Sequence, residues 1–132
     1  MPLPVNHPIH ERTLYTSTNS IASTPLAAVI RVPYAGRLDR IGGVSHGAFT
    51  TDCSVAVAII ASVAGGTAPG GGTAVSGSPM TLTASNSAAG TSTLLVPGAR
   101  TPLNEGDLIV FTPSGSTGTN IGATFSASLA RA

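Results

Sequence analysis

Two groups of residues have a spacing that could bind a metal or activate a nucleophile. His7 and His10 form an H-x2-H pair, and His46 precedes the single cysteine, Cys53, by seven residues. A closed metal site needs four ligands, and Pro8 keeps the histidine pair off a common helical face. A thiol–imidazole dyad needs an accessible thiol, whereas the apolar alternation after Cys53 predicts a buried, inert one. We therefore expect no metal, no cofactor and no intrachain disulfide.

The chain also lacks the residues needed for a phosphate-binding loop, for lysine-based catalysis and for a pair of catalytic carboxylates. The glycine-rich range 65–73 follows a predicted strand, but the chain contains no lysine and no helical pattern follows the glycines. Glu105 and Asp107 flank Gly106, where side-chain-to-backbone hydrogen bonds that shape a turn are the expected use. A cupin-like metal barrel would need two histidines on one strand, and no H-x-H occurs. The sequence therefore predicts a protein that is not an enzyme.

The composition restricts the class of protein further. Only 8% of the 132 residues are charged and 4% are aromatic, whereas Ser and Thr supply 32. A hydrophobic share of 42% argues against disorder caused by charge repulsion. The six arginines are spread along the chain and nearly balanced by five carboxylates, with a net charge of +1, so they form no basic stripe that could bind nucleic acid. The longest apolar run, 53–64, is shorter than the ~20 residues that span a bilayer, and the N-terminus lacks the apolar core of a signal peptide. One domain without nucleic-acid or membrane partners is expected.

After Pro25 the hydrophobic pattern has a period of two. The clearest case is the alternation of Ile121, Ala123, Phe125 and further apolar residues with Gly, Thr and Ser up to Leu129. Such alternation is typical of half-buried strands, and the breaks contain turn-forming Gly, Pro and Asn. The predicted strands are 26–32, 38–44, 54–60, 80–84, 93–96, 108–112 and 121–129. Seven or eight short strands indicate an all-β antiparallel sandwich or barrel spanning residues 26–132.

Residues 1–25 are predicted to form an extended N-terminal arm. Pro2, Pro4 and Pro8 each fix φ and remove an amide donor, so the segment suits neither a central strand nor a long helix. Its apolar residues have no period, which favours docking onto a partner over a functionless solvated terminus. We expect deletion of residues 1–24 to leave the folded body nearly intact. The predicted partner-binding residues are Val5, Ile9, Arg12, Leu14 and Tyr15.

The small side chains also predict self-association. A core built from Val, Ile, Leu and Ala buries little apolar area per residue, and at ~25 cal/mol per Å² this leaves a small surplus over chain entropy. An apolar face shared between subunits adds the burial that a monomer lacks. We therefore expect a homo-oligomer.

An ordered set of motifs resembles a known family. The order is Gly36–Ile41, the strand Ser54–Ile60, a glycine-rich loop, a Thr-rich strand at Met80–Ala84, the turn and strand Asn104–Val110, and the strand Ile121–Leu129. Over residues 26–132 this resembles the small jelly-roll decoration, or cement, proteins of tailed-bacteriophage heads. The resemblance implies an eight-stranded jelly roll, a homotrimer on the outer surface of the virion capsid, and an arm that contacts the major capsid protein. It also implies synthesis in the host cytoplasm.

A different class of function stays open from the residues alone. A head-fibre or tail-tip β-sandwich could bind a host receptor or a glycan. Sugar-binding surfaces usually display exposed Trp or Tyr, and this chain offers only Tyr15 and Tyr34. The scarcity of aromatic residues therefore favours the decoration protein.

Overall fold

The described part of the chain contains ten β-strands. The computed structural model describes residues 11–61, 72–85, 87, 90–98, 101–118 and 120–131. Within these ranges no α-helix occurs, and no helix is long and apolar enough to cross a membrane. The strands are β1 (Glu11–Thr18), β2 (Ala28–Arg31), β3 (Gly36–Ser45), β4 (Cys53–Ile60), β5 (Thr73–Ala74), β6 (Met80–Leu82), β7 (Ser92–Leu95), β8 (Pro102–Leu103), β9 (Leu108–Ser114) and β10 (Ala123–Arg131).

The strands form two five-stranded antiparallel sheets. The first sheet has the order β1-β10-β3-β7, with β8 also pairing with β3. The second has the order β2-β9-β4-β5, with β6 also pairing with β4. Strands distant in the chain are therefore neighbours, as in the pairing of β1 with β10 over eight residues. Most residue pairs that lie close in space are therefore far apart in the sequence.

One apolar core lies between the two sheets. Phe111 of β9 and Phe125 of β10 are fully buried, and their rings stack across the sheets. Gly43 of the first sheet faces inward, because a Cβ there would lie 3.1 Å from the Phe125 ring and 3.3 Å from Met80 Cε of the second sheet. The side chains of β3 and β10 that alternate with these core residues point away from the core. Each sheet therefore presents an outward surface.

The predicted turn before β9 is confirmed. Gly106 has a φ of 89°, a conformation that favours glycine, and the Asp107 amide donates to the Asn104 carbonyl over 3.1 Å. The buried Asp107 carboxylate accepts a hydrogen bond of 2.9 Å from the Asn104 amide. Asp107 therefore shapes the turn, as the sequence predicts, and Glu105 is exposed beside it.

The all-β class and the seven predicted strands are confirmed, with boundaries that differ by a few residues. Three further strands raise the total to ten, above the seven or eight predicted. Two of them, β5 and β8, have only two residues each, which is too short for an alternating pattern to be visible. Their pairing depends on longer neighbours, β4 and β3. Such strands arise from tertiary contact and leave little trace in the sequence.

The predicted arm requires a correction over residues 11–24. Glu11–Thr18 forms the edge strand β1 of the first sheet, and Ile21 and Ala22 are fully buried in the core. The Thr18 hydroxyl donates to the Leu26 carbonyl over 2.8 Å, and the Ile21 amide donates to the Ile121 carbonyl over 2.9 Å. This part of the segment belongs to the body of the protein, because β10 supplies the partner for strand pairing. Residues 1–10 lie outside the described residues, and for them the arm stays a prediction.

Candidate interaction surface

The outward surface of the first sheet gathers most of the large apolar side chains that are exposed. We call it the Tyr15 face. The strand register aligns Tyr15 of β1, Ser126 of β10, Gly42 of β3 and Leu94 of β7 in one row across the sheet. Tyr15 is 70% exposed and Leu94 is 62% exposed. Alternation along β3 adds Val44, which is 47% exposed, and Val96, the residue after the end of β7, is 65% exposed.

The centre of the row is Gly42, which is buried beneath its neighbours. A Cβ on Gly42 would point outward, lying 2.8 Å from Ser126 Oγ and 4.0 Å from Leu94 Cδ1. The Ser126 hydroxyl therefore occupies the space that a side chain at position 42 would need, and Gly42 lets the hydroxyl lie there.

Hydroxyl groups occupy the neighbouring rows of the Tyr15 face. In one row Thr13 Oγ1 lies 3.0 Å from Ser128 Oγ, and Arg40 follows on β3. In another, Thr124 Oγ1 lies 2.8 Å from the exposed His46 Nε2. Within these three rows Arg40 is the one side chain that carries a fixed charge, and no described residue forms an ion pair with it. The three rows are therefore nearly uncharged and partly apolar.

The outward surface of the second sheet has a different composition. We call it the Val29 face. One row aligns Val29, Val110, Ala58 and Ala74, and the next aligns Arg31, Leu108 and Ile60. Val29 is 46% exposed, Val110, Ala58 and Leu108 are half-buried, and Ile60 is buried. These side chains are more continuous than those of the Tyr15 face but less exposed.

The five residues predicted to contact a partner do not act as one group. Leu14 packs against the core, because its register partner on β10 is the buried Ala127. Tyr15, one residue further, points outward and is exposed. Arg12 is exposed on the edge strand. Val5 and Ile9 lie outside the described residues. The period-two geometry of β1 thus separates Leu14 from Tyr15, a consequence that follows only once the segment is known to be a strand.

Sequence reasoning missed three residues of the Tyr15 face. Val44, Leu94 and Val96 were read only as members of predicted strands. The alternation of Ser92, Leu94 and Val96 marks one outward side of β7, but the sequence does not tell which side of an alternating strand faces the core. The exposed side of β7 carries Leu94, and the exposed Val96 directly follows the strand, which reverses the usual pattern of apolar residues inside.

The remaining chemical candidates are separated in space. Cys53 is fully buried, its Sγ lying 3.8 Å from the Ile21 carbonyl oxygen, and burial raises the pKa of this thiol. His46 is exposed on the Tyr15 face, and His7 and His10 lie outside the described residues. Among the described residues, no three His, Cys, Asp or Glu side chains lie close enough together to hold a metal ion. The clusters suggested by sequence spacing thus are not assembled in the part of the chain that the structure describes.

A cavity of about 390 Å³ lies at one end of the two sheets, and Ile59, Thr73, Ser76 and Pro102 contribute to its lining. Its charged lining residue is Asp107, which already shapes the turn before β9. Apart from hydroxyl groups, the polar side chain that lines the cavity is that of Asp107, which is engaged in the turn before β9. The Tyr15 face remains the better candidate for a functional surface.

These features define an all-β protein of two antiparallel sheets with a partly apolar outward surface. Comparison of the chain with models of known protein families, with curated proteins and with solved structures finds no match.

Proposed function

We propose that this chain is a virion structural protein, a decoration or cement protein that binds the outside of a tailed-bacteriophage head as a homotrimer and stabilises it. Its role in this proposal is structural and not catalytic. The major capsid protein and further copies of the chain are the partners, and the virion surface is the site of action. Residues 1–10, with Val5 and Ile9, supply the arm that contacts the shell.

The strand order supports a jelly roll, the fold that the family resemblance implies. Removing the two-residue strands leaves β1-β10-β3-β7 in one sheet and β2-β9-β4-β6 in the other. Two interlocked Greek keys produce an eight-stranded jelly roll with long-range antiparallel pairs of this kind. The first strand pairs with the last, and the second pairs with the ninth. We therefore assign β5 and β8 as short additions to a jelly roll.

The observation that carries the functional proposal is the Tyr15 face. Large apolar side chains that are 47–70% exposed cost solvation free energy unless a partner covers them. The face is built on paired strands, which hold its side chains in fixed positions for docking. Many identical copies on a regular shell make weak contacts of this kind effective through avidity. A cement protein needs these properties and no reactive group.

Binding to phage heads tests the proposal directly. Heads assembled without the chain are mixed with the purified full-length protein and sedimented, and the bound protein is quantified. We expect saturable binding in many copies and an increase in the temperature at which the heads release their DNA. Electron micrographs should show density over the whole head surface. An absence of bound protein at saturating concentration contradicts the proposal.

A glycan- or receptor-binding module is the second candidate, and one observation favours it. Tyr15 is exposed among hydroxyl groups, as aromatic residues of sugar-binding surfaces are. Tyr34 does not extend such a site, because its ring stacks under the Arg131 guanidinium, with 4.9 Å to the ring centroid. Micrographs separate the candidates, since a fibre or tail-tip module occupies one vertex and a decoration protein covers the head.

A further inference from the structure

The outer edge of β1 is a long strand edge without the usual protection. β1 pairs with β10 over eight consecutive residues, and no described strand lies on its other side. Native proteins protect such edges with short strands, prolines, lysines or bulges. The sequence of β1, ERTLYTST, contains no proline and no lysine, and its pairing with β10 has no irregularity. β1 therefore offers a template on which a further strand can pair.

The other edges of the two sheets are protected in the part of the chain that the structure describes. β2 and β7 have four residues each, β6 has three, and β5 and β8 have two. β2 lies between Pro25 and Pro33, and Pro79 directly precedes β6. Short strands next to prolines present few main-chain groups to a partner. β1 is thus the longest free edge among the described strands.

The strand register shows which main-chain groups of β1 are free. The His46 amide donates to the Gly122 carbonyl over 2.8 Å, and main-chain groups along a strand point alternately to its two neighbours. The even-numbered residues of β10 up to Ser128 therefore bond to β3, and the odd-numbered ones bond to β1. The β1 partners of the latter are Arg12, Leu14, Thr16 and Thr18. The amides and carbonyls of Thr13, Tyr15 and Ser17 consequently point away from β10, and no described residue bonds to them.

We propose that β1 of a second copy pairs antiparallel with this edge about a two-fold axis at Leu14, so that the first sheets of two copies form one continuous sheet. In this register Thr13 lies opposite Tyr15 of the second copy, and Glu11 lies opposite Ser17. The four pairs use every free main-chain position of β1 and form eight hydrogen bonds. A specific interface contains about ten. The contact goes beyond the proposed function, because a two-fold contact differs from the contact that builds a trimer.

The side chains along β1 favour a second copy as the added strand. Leu14, which packs against the core, meets Leu14 of the second copy on the inner side of the sheet, and Arg12 lies opposite Thr16. Tyr15 lies beside Thr13 on the outer side. No two like charges come opposite each other, and the chain carries a net charge of only +1. Two copies therefore approach this edge without strong repulsion.

Exposed apolar surface next to the same edge gives the contact a hydrophobic component. Tyr15 is 70% exposed and Leu26 is 52% exposed. Leu26 lies at the end of β1, because its carbonyl accepts a hydrogen bond of 2.8 Å from the Thr18 hydroxyl. A second copy at this edge reduces the contact of these side chains with water.

A proline at the free edge tests the contact. Thr13→Pro removes an amide that points away from β10, so the pairing of β1 with β10 is kept, as prolines on edge strands allow. Thr13→Val retains the amide and is the matched control. Sedimentation velocity of the full-length proteins over a concentration series measures association. If circular dichroism shows that Thr13→Pro is unfolded, Ser17→Pro and its control Ser17→Ala replace the pair.

We expect the wild type and the control to associate into an even number of copies, two alone or six where a homotrimer also forms. The proline variant should weaken the two-fold association at least about tenfold, because each of the two copies loses a main-chain hydrogen bond. A wild type that stays monomeric or stops at three copies would overturn the inference. So would a folded proline variant that associates like the wild type, or an equal loss in the control.

Disulfide cross-linking tests the register. Arg12 and Thr16 of the second copy lie opposite each other between hydrogen-bonded pairs, where Cα atoms are about 4.5 Å apart and a disulfide fits. Arg12→Cys and Thr16→Cys are made separately in a Cys53→Ala chain, which has no other thiol. Their mixture should give a linked dimer of twice 13.0 kDa under mild oxidation.

Either cysteine variant alone should stay unlinked, because the same position in the two copies is four residues apart along the strands, about 14 Å. Equal linking of a single variant and the mixture would contradict the register and overturn the inference.

Head binding distinguishes this inference from the proposed function. A protein that forms the two-fold contact but does not bind heads contradicts the capsid role and leaves the contact. A protein that decorates heads without forming the two-fold contact contradicts the inference and leaves the capsid role. Head binding that Thr13→Pro abolishes, in a wild type that does not self-associate, would assign the edge to another protein and overturn the second copy as its occupant.

Discussion

Phe111 and Phe125 stack with their ring centroids 4.9 Å apart and their planes inclined by 5°. One ring belongs to β9 of the second sheet and the other to β10 of the first. Both are fully buried, so the pair joins the two sheets at the centre of a core that otherwise consists mainly of aliphatic side chains. Two of the three phenylalanines of the chain form this contact, and such an aromatic pair contributes about 0.5–1.5 kcal/mol beyond the burial of its area.

Phe111→Ala should lower the free energy of unfolding by about 3–5 kcal/mol, because it removes a buried ring and leaves a cavity between the sheets. Urea denaturation followed by circular dichroism measures the change. Phe111→Leu keeps most of the volume and should cost clearly less. Equal losses for the two substitutions would show that the ring is not needed to fill the core.

Gly36 is expected to tolerate no side chain. A Cβ at this position would overlap the backbone carbonyl oxygen of Ala130 on the neighbouring strand β10, and backbone cannot move aside cheaply. Gly36→Ala should therefore destabilise the protein by about 1–3 kcal/mol. Gly98→Ala is the control, since its added methyl would meet only Ser76 Oγ at 3.4 Å. Thermal unfolding of both variants should separate them, and similar melting temperatures would contradict the prediction.

Cys53 should make stability depend on alkaline pH. Burial raises the pKa of its thiol from the ordinary value of 9.0, so the folded protein retains this proton at a pH where the unfolded chain loses it. The contribution is complete below pH 9.0 and is lost as the pH rises above it. We expect wild-type stability to fall more than that of Cys53→Ala between pH 8 and pH 10. An equal fall in both proteins would contradict this.

The same burial should protect Cys53 from thiol reagents. Disulfide-exchange reagents attack the thiolate, and this thiol is both buried and protonated at neutral pH. The native protein should show no fast reaction, whereas the denatured protein should release one equivalent of chromophore. Rapid labelling under native conditions would show that the core opens around β4.

Two deletions should show that residues 11–24 contribute to stability and that residues 1–10 do not. Deletion of residues 1–24 removes β1, with its eight residue pairs to β10, and the fully buried Ile21, so the melting temperature should fall strongly. Deletion of residues 1–10 removes none of the described contacts and should leave the melting temperature nearly unchanged. In the proposed function the shorter deletion weakens head binding.

Ile21→Ala provides a check without truncation. It should cost about 2–5 kcal/mol, as large-to-small changes in a core do. Leu26→Ala, at an exposed position, should cost much less and serves as the control. A neutral effect of Ile21→Ala would restore the earlier interpretation that residues 1–25 are separate from the body.

The sequence by itself determined the all-β class, seven of the strands and the turn at Asn104–Asp107. These features depend on local chemistry: alternation of apolar and polar residues, glycine at a positive φ, and an Asp that bonds to a nearby amide. Each can be read within a window of about ten residues. The burial of Cys53 followed in the same way from the strand around it.

Only the tertiary structure decided the role of residues 11–24 and the location of the Tyr15 face. Glu11–Thr18 lacks a clear alternation of its own and is a strand because β10, more than a hundred residues later, supplies its hydrogen bonds. Likewise, the sequence cannot align Tyr15 with Gly42 and Leu94, since that row depends on the register of four strands from different parts of the chain. A shift of one residue in any pairing would turn the other set of side chains outward. The register is fixed by burial of the core, which is a property of the whole fold.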